Sequence, residues 1–184
     1  MAETELIDYQ IKVPGPPIPK QRPYFVHKDK NGNALPFVKT INRQGDAEAA
    51  FKFSVLKYCT ENSGGVCTIA DGPIALGLTF VMPIPKSNWP QYKIRDLQRG
   101  MIFYHFIKPD LDNLIKFVKD CLQGICYAND SQVATMDPHP VKIYGFEPKT
   151  IIRIRSLPAC EMIQGERFEI NKPPGDTFWD TLNG

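Results

Sequence analysis

Acidic side chains are concentrated in one short part of the sequence, Lys108–Val133, which reads KPDLDNLIKFVKDCLQGICYANDSQV. Asp110 and Asp112 stand two residues apart, where an extended segment held by Pro109 is predicted to enter a helix. Asp130 follows after the helix and a turn, and an extended return segment could carry it towards Asp110. Carboxylates are preferred Mg²⁺ ligands, and Mg²⁺ supports phosphodiester hydrolysis. The sequence therefore predicts a metal site at Asp110, Asp112 and Asp130.

Lys116 and Asp120 follow Asp112 at four-residue steps, along the polar edge of the same predicted helix. A lysine there could stabilise developing negative charge or orient a water, so Lys116 is a candidate catalytic residue. Simpler interpretations exist: Asp110 or Asp112 could cap the helix, and the four-residue steps could be ordinary ion pairs. Asn129 and Asp130 could form a plain turn. These interpretations leave unexplained why three acids fall in one short segment.

The elements that must position these residues can be read from periodicity and from the proline and glycine positions. Apolar residues recur at helical spacing from Leu111 to Ile125, and Gly124 is a suitable stop for that helix. Further helices are predicted over Asp46–Thr60 and, shorter, over Tyr92–Arg99, and Tyr127–Ser131 is predicted as a turn. Strands or apolar β-rich segments are predicted over Leu6–Val13, Tyr24–Lys28, Leu35–Ile41, Pro73–Pro83, Met101–Ile107, Gln132–Ile143 and Pro148–Leu157.

The bulk composition is that of a globular chain: 184 residues, 42% apolar and 23% charged. Its apolar runs are too short to span a bilayer, and its acidic N-terminus is unlike a signal peptide. We therefore expect a cytoplasmic protein with one domain over residues 1–157 and an acidic extension over 158–184. The five cysteines are odd in number and form no CxxC pair, which favours free thiols over a disulfide framework or zinc site.

The central segment resembles the RusA-type Holliday-junction resolvases. The resemblance rests on KPDLDNLIK (Lys108–Lys116), on Asp120-Cys-Leu-Gln-Gly and on NDSQV (Asn129–Val133), with Lys142 downstream. The proline-rich PGPPIPKQRP and MPIPKS (Met82–Ser87) are weaker matches. Where that family usually has two adjacent acids, this sequence has Asn129 followed by Asp130, and Cys121 replaces a common alanine.

The resemblance implies a small α/β (α+β) domain with a mixed β-sheet packed with about two main helices. It also implies a homodimer that depends on Mg²⁺, with Mn²⁺ able to substitute, and that places paired nicks across four-way DNA junctions in recombination and repair. Carried over by position, Asp110, Asp112 and Asp130 would bind the metal and Lys116 would be the catalytic lysine. Asp120 matches an additional acidic position of less certain role.

Two basic stretches are predicted to contact DNA phosphates, with aromatic residues available to stack at a branch point. The first lies near the N-terminus and the second just before the acidic motif; their candidate residues are Lys20, Arg22, Lys86, Lys93, Arg95 and Arg99. Two rival functions stay open. A D-x-D motif also occurs in metal–nucleotide enzymes such as glycosyltransferases, and a non-catalytic module could bind junctions without cutting them. Metal-dependent turnover would separate a nuclease from such a module.

Overall fold

The computed structural model describes residues 7–22, 24–28, 31–62, 70, 72–87 and 89–158. Its helices are α1 (Gly45–Asn62), α2 (Gln91–Gln98) and α3 (Leu111–Leu122), with a short 3-10 helix at Asp130–Gln132. Its strands are β1 (Asp8–Pro14), β2 (Tyr24–Lys28), β3 (Ala34–Ile41), β4 (Ile74–Pro83), β5 (Val133–Thr135), β6 (Val141–Gly145) and β7 (Lys149–Ser156). The fold is a single α+β domain with a mixed sheet, as expected.

The main sheet is built around β4, the most apolar strand. On one side β4 pairs antiparallel with β7, and β7 pairs antiparallel with β1. The other side of β4 is shared by two short parallel neighbours, β5 beside its first residues and β6 beside its last. β2 and β3 form a separate antiparallel ribbon. The sheet is therefore mixed, and β4 is the strand with which β5, β6 and β7 all pair.

Helices α1 and α3 supply the helical part of the hydrophobic core. α3 buries Leu114, Val118, Cys121 and Leu122, which its apolar periodicity predicts, and also Phe117, which the predicted pattern did not include. Phe117 packs edge-on against Phe51 of α1, with the ring centroids 5.4 Å apart. α2 buries none of its residues. The two helices expected to cover the sheet are thus α1 and α3, and the polar face of α3 is left towards solvent.

Three sequence expectations need correction. Met101–Ile107 is not a regular strand, since only Tyr104 forms a bridge, to Ile143. Gln132–Ile143 is not one strand, because β5 and β6 are separate. Between them Asp137 and Pro138 pack against Gly77 of β4, where a Cβ would lie 2.5 Å from the Pro138 ring. The turn expected at Tyr127–Ser131 ends in the 3-10 helix.

The cysteines behave only partly as expected. Cys121 and Cys126 are free and buried, and burial raises the pKa of each thiol to about 11. Cys59 is disulfide-bonded, which corrects the expectation of free thiols throughout. Within the described part of the chain, no helix combines the length and apolar character needed to cross a membrane. The acidic extension over 158–184 lies, after Pro158, outside the described residues.

Candidate active site

Asp110 and Asp112 lie at the start of α3, where the chain turns from an extended segment into the helix. Asp110 occupies the N-cap position with extended backbone (φ −71°, ψ 144°), yet its carboxylate makes no capping hydrogen bond. Asp112 stands in the first helical turn and is largely exposed. The capping interpretation therefore fits the backbone of Asp110 but leaves its side chain available to a ligand.

Both carboxylates line a surface cleft of about 380 Å³. The cleft is also lined by Asn113 and Lys116 from α3 and by a loop from the N-terminal part of the chain: Lys20, Gln21 and Arg22. The site thus combines two acids with cations from two distant parts of the sequence. Such a mixture suits a phosphate held beside a divalent cation.

The loop wall of the cleft is fastened by hydrogen bonds. The Lys20 backbone N–H donates to the carbonyl of Asn113 over 2.8 Å. The buried Gln44 side chain accepts from the Gln21 N–H over 2.6 Å and donates to the Pro19 carbonyl over 2.8 Å. A buried amide whose donor and acceptor are both satisfied holds its partners in one geometry. Gln44 therefore fixes the proline-rich loop at the start of α1, while the Lys20–Asn113 bond ties the same loop to the first turn of α3.

Lys116 is paired with Asp112 across one turn of α3, with 3.0 Å between Nζ and Oδ2. This hydrogen bond holds the pKa of the Asp112 carboxyl below its ordinary value. Asp112 is therefore ionised across the neutral range and ready to bind a cation. The ordinary ion pair proposed as the simpler interpretation is present, but it lies inside the cleft.

Lys20 and Asp120 are engaged with each other. Lys20 Nζ lies 2.7 Å from Asp120 Oδ2 and 2.9 Å from Glu48 Oε1. Partial burial would lower the pKa of Lys20, but the hydrogen bonds to Asp120 and Glu48 raise it overall. The Lys20 charge is thus shared with two carboxylates, and Asp120 ties α3 to the loop and to α1. The spacing also allowed Lys116 to pair with Asp120. In the structure Asp120 pairs with Lys20 instead, and Lys116 pairs with Asp112.

The Glu48 carboxylate provides a pH test of this network. The hydrogen bond from Lys20 holds the pKa of Glu48 below its ordinary value of 4.5, although burial acts in the opposite direction. A lowered folded-state pKa stabilises the protein above the ordinary value, and that stability is lost as pH falls through the folded value. We expect Glu48→Gln to lower the free energy of unfolding by about 1 kcal/mol at pH 7, with the difference fading below about pH 4.

Urea unfolding of both proteins at pH 7 and pH 3 measures this effect. Glu61→Gln is the matched control, because the Glu61–Lys57 pair is exposed on the same helix at 3.8 Å. An exposed pair of this kind contributes little, so we expect a change of no more than a few tenths of a kcal/mol. A Glu48→Gln difference that is equal at both pH values would contradict the assignment.

Asp130 does not join Asp110 and Asp112 within the single chain. Its carboxylate pairs with Lys119 in the last turn of α3, at 3.6 Å. Lys119 follows Asp110 by nine residues, or about 13 Å along a helix axis. Among the described residues, no group of three or more His, Cys, Asp or Glu side chains is arranged to hold a metal ion. The expected convergence of the three acids is therefore not seen, and Asp130 stays a prediction.

Asn129, which stands where the related motif has an acid, has a structural role. Its side chain accepts a hydrogen bond from the Ser131 N–H, while its own N–H donates to Gln132 Oε1, so the two residues form a capping box at the start of the 3-10 helix. Gln132 also donates to the carbonyls of Ala70 and Gly72. An amide satisfies these bonds without a charge, so the turn that carries Asp130 is retained.

The second basic stretch lies at the surface, with Arg95 and Arg99 exposed and Lys93 half-buried, its ammonium group 6.0 Å from the Phe103 ring centroid. Lys93 and Arg95 project from α2, and Arg99 follows at its end with a weak contact of 3.8 Å to Asp96. Lys86 is exposed just after β4, and Arg22 is exposed at the cleft. α2 is thus a polar, solvent-facing element whose cations can reach a phosphate backbone.

Two residues of structural weight at the site were not identified from the sequence. Gln44 lies outside the acidic motif, and nothing in its neighbours signals that it is buried and hydrogen-bonded. Lys142 was noted only as part of the resemblance. The structure gives its ammonium group two backbone partners in the segment that leads to Asp110.

The sequence as a whole matches the family model described as endodeoxyribonuclease RusA over residues 14–155. The chain belongs to the RusA endodeoxyribonuclease family. The match includes β1 from its last residue, the cleft, the acidic motif and nearly all of β7, so the RusA assignment covers every part of the candidate site. The description of the RusA family is that of an endodeoxyribonuclease.

A relative is found in Bacillus subtilis (strain 168), where it carries the name uncharacterized protein YqaN. It is 35% identical over 92 residues, which is 50% of this chain and 63% of YqaN. The chain therefore matches somewhat less than two thirds of that protein. The name of YqaN specifies no activity.

Proposed function

We propose that this protein is a Mg²⁺-dependent, structure-selective endodeoxyribonuclease that resolves four-way DNA junctions by paired nicks in recombination and repair. The observation that carries the proposal is the cleft in which Asp110 and Asp112 face Lys116 and the loop residues Lys20 and Arg22. The cleft offers oxygen ligands for a hard cation and cationic groups for a phosphate. We also propose Asp130 as a third acidic residue of the metal site, which is tested by its own substitution.

The donor set fits Mg²⁺. Two carboxylates in an open cleft leave room for the waters and substrate phosphate with which this ion completes its shell. Asp110 is not used in capping and Asp112 is held ionised by Lys116. When bound, Mg²⁺ would neutralise phosphate charge and lower the pKa of a coordinated water. Asp110 and Asp112 would hold the ion, Lys116 would orient Asp112 and stabilise negative charge, and Arg22 would bind a flanking phosphate.

The proposal is tested with a labelled four-way junction and a linear duplex of the same sequence, each incubated with Mg²⁺, Ca²⁺ or EDTA. We expect symmetric nicks in the junction alone, and only with Mg²⁺ or Mn²⁺. Binding without cleavage in every metal would instead indicate a non-catalytic junction-binding module. Cleavage of the linear duplex at the same rate would remove the structural selectivity from the proposal.

α2 is the proposed element for phosphate contact, because its cations lie at the surface and none of its residues is buried. Each phosphate contact contributes about one unit to the slope of log K against log salt concentration. We therefore expect the triple variant with Lys93→Gln, Arg95→Gln and Arg99→Gln to reduce the magnitude of this negative slope by about two to three units. Fluorescence anisotropy with a labelled junction, measured without divalent metal over a salt series, gives the slope.

The matched control for α2 removes three lysines from a different surface. Lys12, Lys57 and Lys149 all line a groove between β1, α1 and the start of β7. Their triple replacement by glutamine changes the net charge equally but should leave the salt slope within about half a unit. Equal slopes in both triple variants would mean that net charge, and not α2, governs binding.

We further propose a homodimer as the active form, since a four-way junction presents two symmetry-related strands for cutting. Exposed apolar side chains are concentrated between α2 and α3, in the segment that precedes Asp110: Met101, Ile102, Tyr104, Phe106 and Ile107. Contiguous exposed apolar surface of this kind is typical of protein interfaces. Sedimentation equilibrium of the full chain, with and without a junction, measures the oligomeric state.

A further inference from the structure

Lys142 lies on β6, outside the cleft, yet its side chain is joined to the segment that delivers the acidic motif. Its Nζ donates to the Ile107 carbonyl over 2.9 Å and to the Pro109 carbonyl over 2.6 Å. Asp110 is the next residue after Pro109, and Asp112 follows in the first turn of α3. One ammonium group therefore bridges two carbonyls immediately before both cleft carboxylates.

The rest of that segment is attached to the same strand through the backbone. The Lys142 carbonyl accepts from the His105 N–H over 2.9 Å, and the Tyr144 N–H donates to the Phe103 carbonyl over 2.9 Å. The His105 ring packs at a tilt of 49° against the Tyr144 ring, with 4.8 Å between their centroids. These contacts stop at His105. The Lys142 ammonium is what extends the attachment to Pro109.

The chemistry of the contact favours a structural use of this lysine over a role in binding substrate. An ammonium group has three donors, and two of them are directed at carbonyl oxygens. Hydrogen bonds from a charged donor are roughly twice as strong as neutral ones. Lys142 is half-buried on a strand that pairs with β4, so it is anchored in the main sheet.

We propose that Lys142 is a positioning residue that fixes Asp110 and Asp112 for metal binding by bridging the Ile107 and Pro109 carbonyls. This inference rests on the proposed function for its catalytic consequence, but the bridge itself can be tested without cleavage. Partners that orient metal ligands from outside typically change metal affinity or activity by 10–100-fold when they are lost. Lys142 does not contact the ligand side chains themselves. It holds the backbone of the segment that precedes them.

The first test is amide hydrogen exchange of the full chain without metal, in Lys142→Met, Lys142→Arg and the control Lys149→Met. Lys149 is a half-exposed lysine at the start of β7 whose ammonium contacts Glu147 at 3.4 Å. We expect exchange in the peptide that spans residues 105–114 to become about tenfold faster in Lys142→Met. The control should match the wild type, and arginine should restore part of the protection.

The second test is the Mg²⁺ dependence of junction cleavage by the same variants. We expect the half-saturating Mg²⁺ concentration to rise at least about tenfold in Lys142→Met. Junction affinity in EDTA should stay within about twofold, and Lys142→Arg should lie between the two. Unchanged exchange over residues 105–114 together with a wild-type Mg²⁺ dependence would overturn the proposal. If the wild type never cuts, the proposed function fails, and the exchange experiment alone decides the bridge.

Discussion

Replacing Asp110 with asparagine will lower the rate of junction cleavage by at least about 100-fold and leave metal-free junction binding within about twofold of the wild type. The change removes one charge and one oxygen ligand while keeping the size of the side chain. Losses of residues that merely support metal ligands already reach 10–100-fold, and a ligand itself should cost more. Because the Asp110 side chain makes no capping hydrogen bond, the helix should be unaffected.

Single-turnover cleavage of a labelled junction in Mg²⁺ measures the rate, and anisotropy in EDTA measures binding. Glu61→Gln provides the control, since it makes the same carboxylate-to-amide change at an exposed position on α1. An Asp110→Asn protein that cuts within about threefold of the wild type would remove Asp110 from the reaction. A loss of binding equal to the loss of cleavage would mean that Asp110 holds DNA and not metal.

The same assay decides the place of Asp130. In the single chain its carboxylate is paired with Lys119 at 3.6 Å, beside the last turn of α3. If Asp130→Asn lowers the cleavage rate as much as Asp110→Asn does, Asp130 takes part in the reaction even though it lies beside the far end of α3. Cleavage at the wild-type rate would leave Asp130 as the ion-pair partner of Lys119 alone.

Replacing Phe117 with alanine will destabilise the protein by about 3–5 kcal/mol. Phe117 is fully buried, and its ring packs edge-on against Phe51, so the change removes contacts on several sides and leaves a cavity. Domains are stable by only about 5–15 kcal/mol, so this one change would take up a large part of the total. α3 also carries Asp112 and Lys116, and loosening it should weaken cleavage before the protein unfolds.

Urea unfolding monitored by circular dichroism, with cleavage measured at the same temperature, tests both parts of this prediction. Phe53→Ala is the matched control, because Phe53 lies two residues from Phe51 on α1 but is 68% exposed. Surface changes of this kind are usually within about 0.5 kcal/mol. A Phe117→Ala protein as stable as the Phe53→Ala protein would mean that α3 is not seated in the core as described.

The sequence alone was sufficient for elements whose signal is local. The periodicity from Leu111 to Ile125 predicted α3, and the observed helix ends at Leu122, with Gly124 at φ 77° just beyond. The mixed sheet and the family followed from the acidic motif. The segment Met101–Ile107, expected to be apolar and β-rich, forms only a bridge at Tyr104 and exposes most of its apolar residues, because periodicity cannot tell an exposed apolar segment from a buried one.

Contacts between distant parts of the chain could not be predicted. The spacing of Asp112, Lys116 and Asp120 allowed two ion pairs on one helix, but Asp120 instead pairs with Lys20, a hundred residues away in the sequence. The position of Asp130 depends on how the 3-10 helix is tied to Ala70 and Gly72 by Gln132. No local pattern carries such information, since it comes from the packing of the whole domain.

The pairing of β1 with β7 has a consequence for how this protein is made. Asp8 lies opposite Arg155, so in the described part of the sheet the first strand to leave the ribosome has the last strand as its only neighbour. Closing so long a loop is a late and costly step. The proline-rich loop that follows β1 forms one wall of the cleft, so that wall is anchored through β1 only once β7 is present to pair with it. We therefore expect the cleft to reach its final geometry late in folding, after the residues up to Ser156 are available to pair.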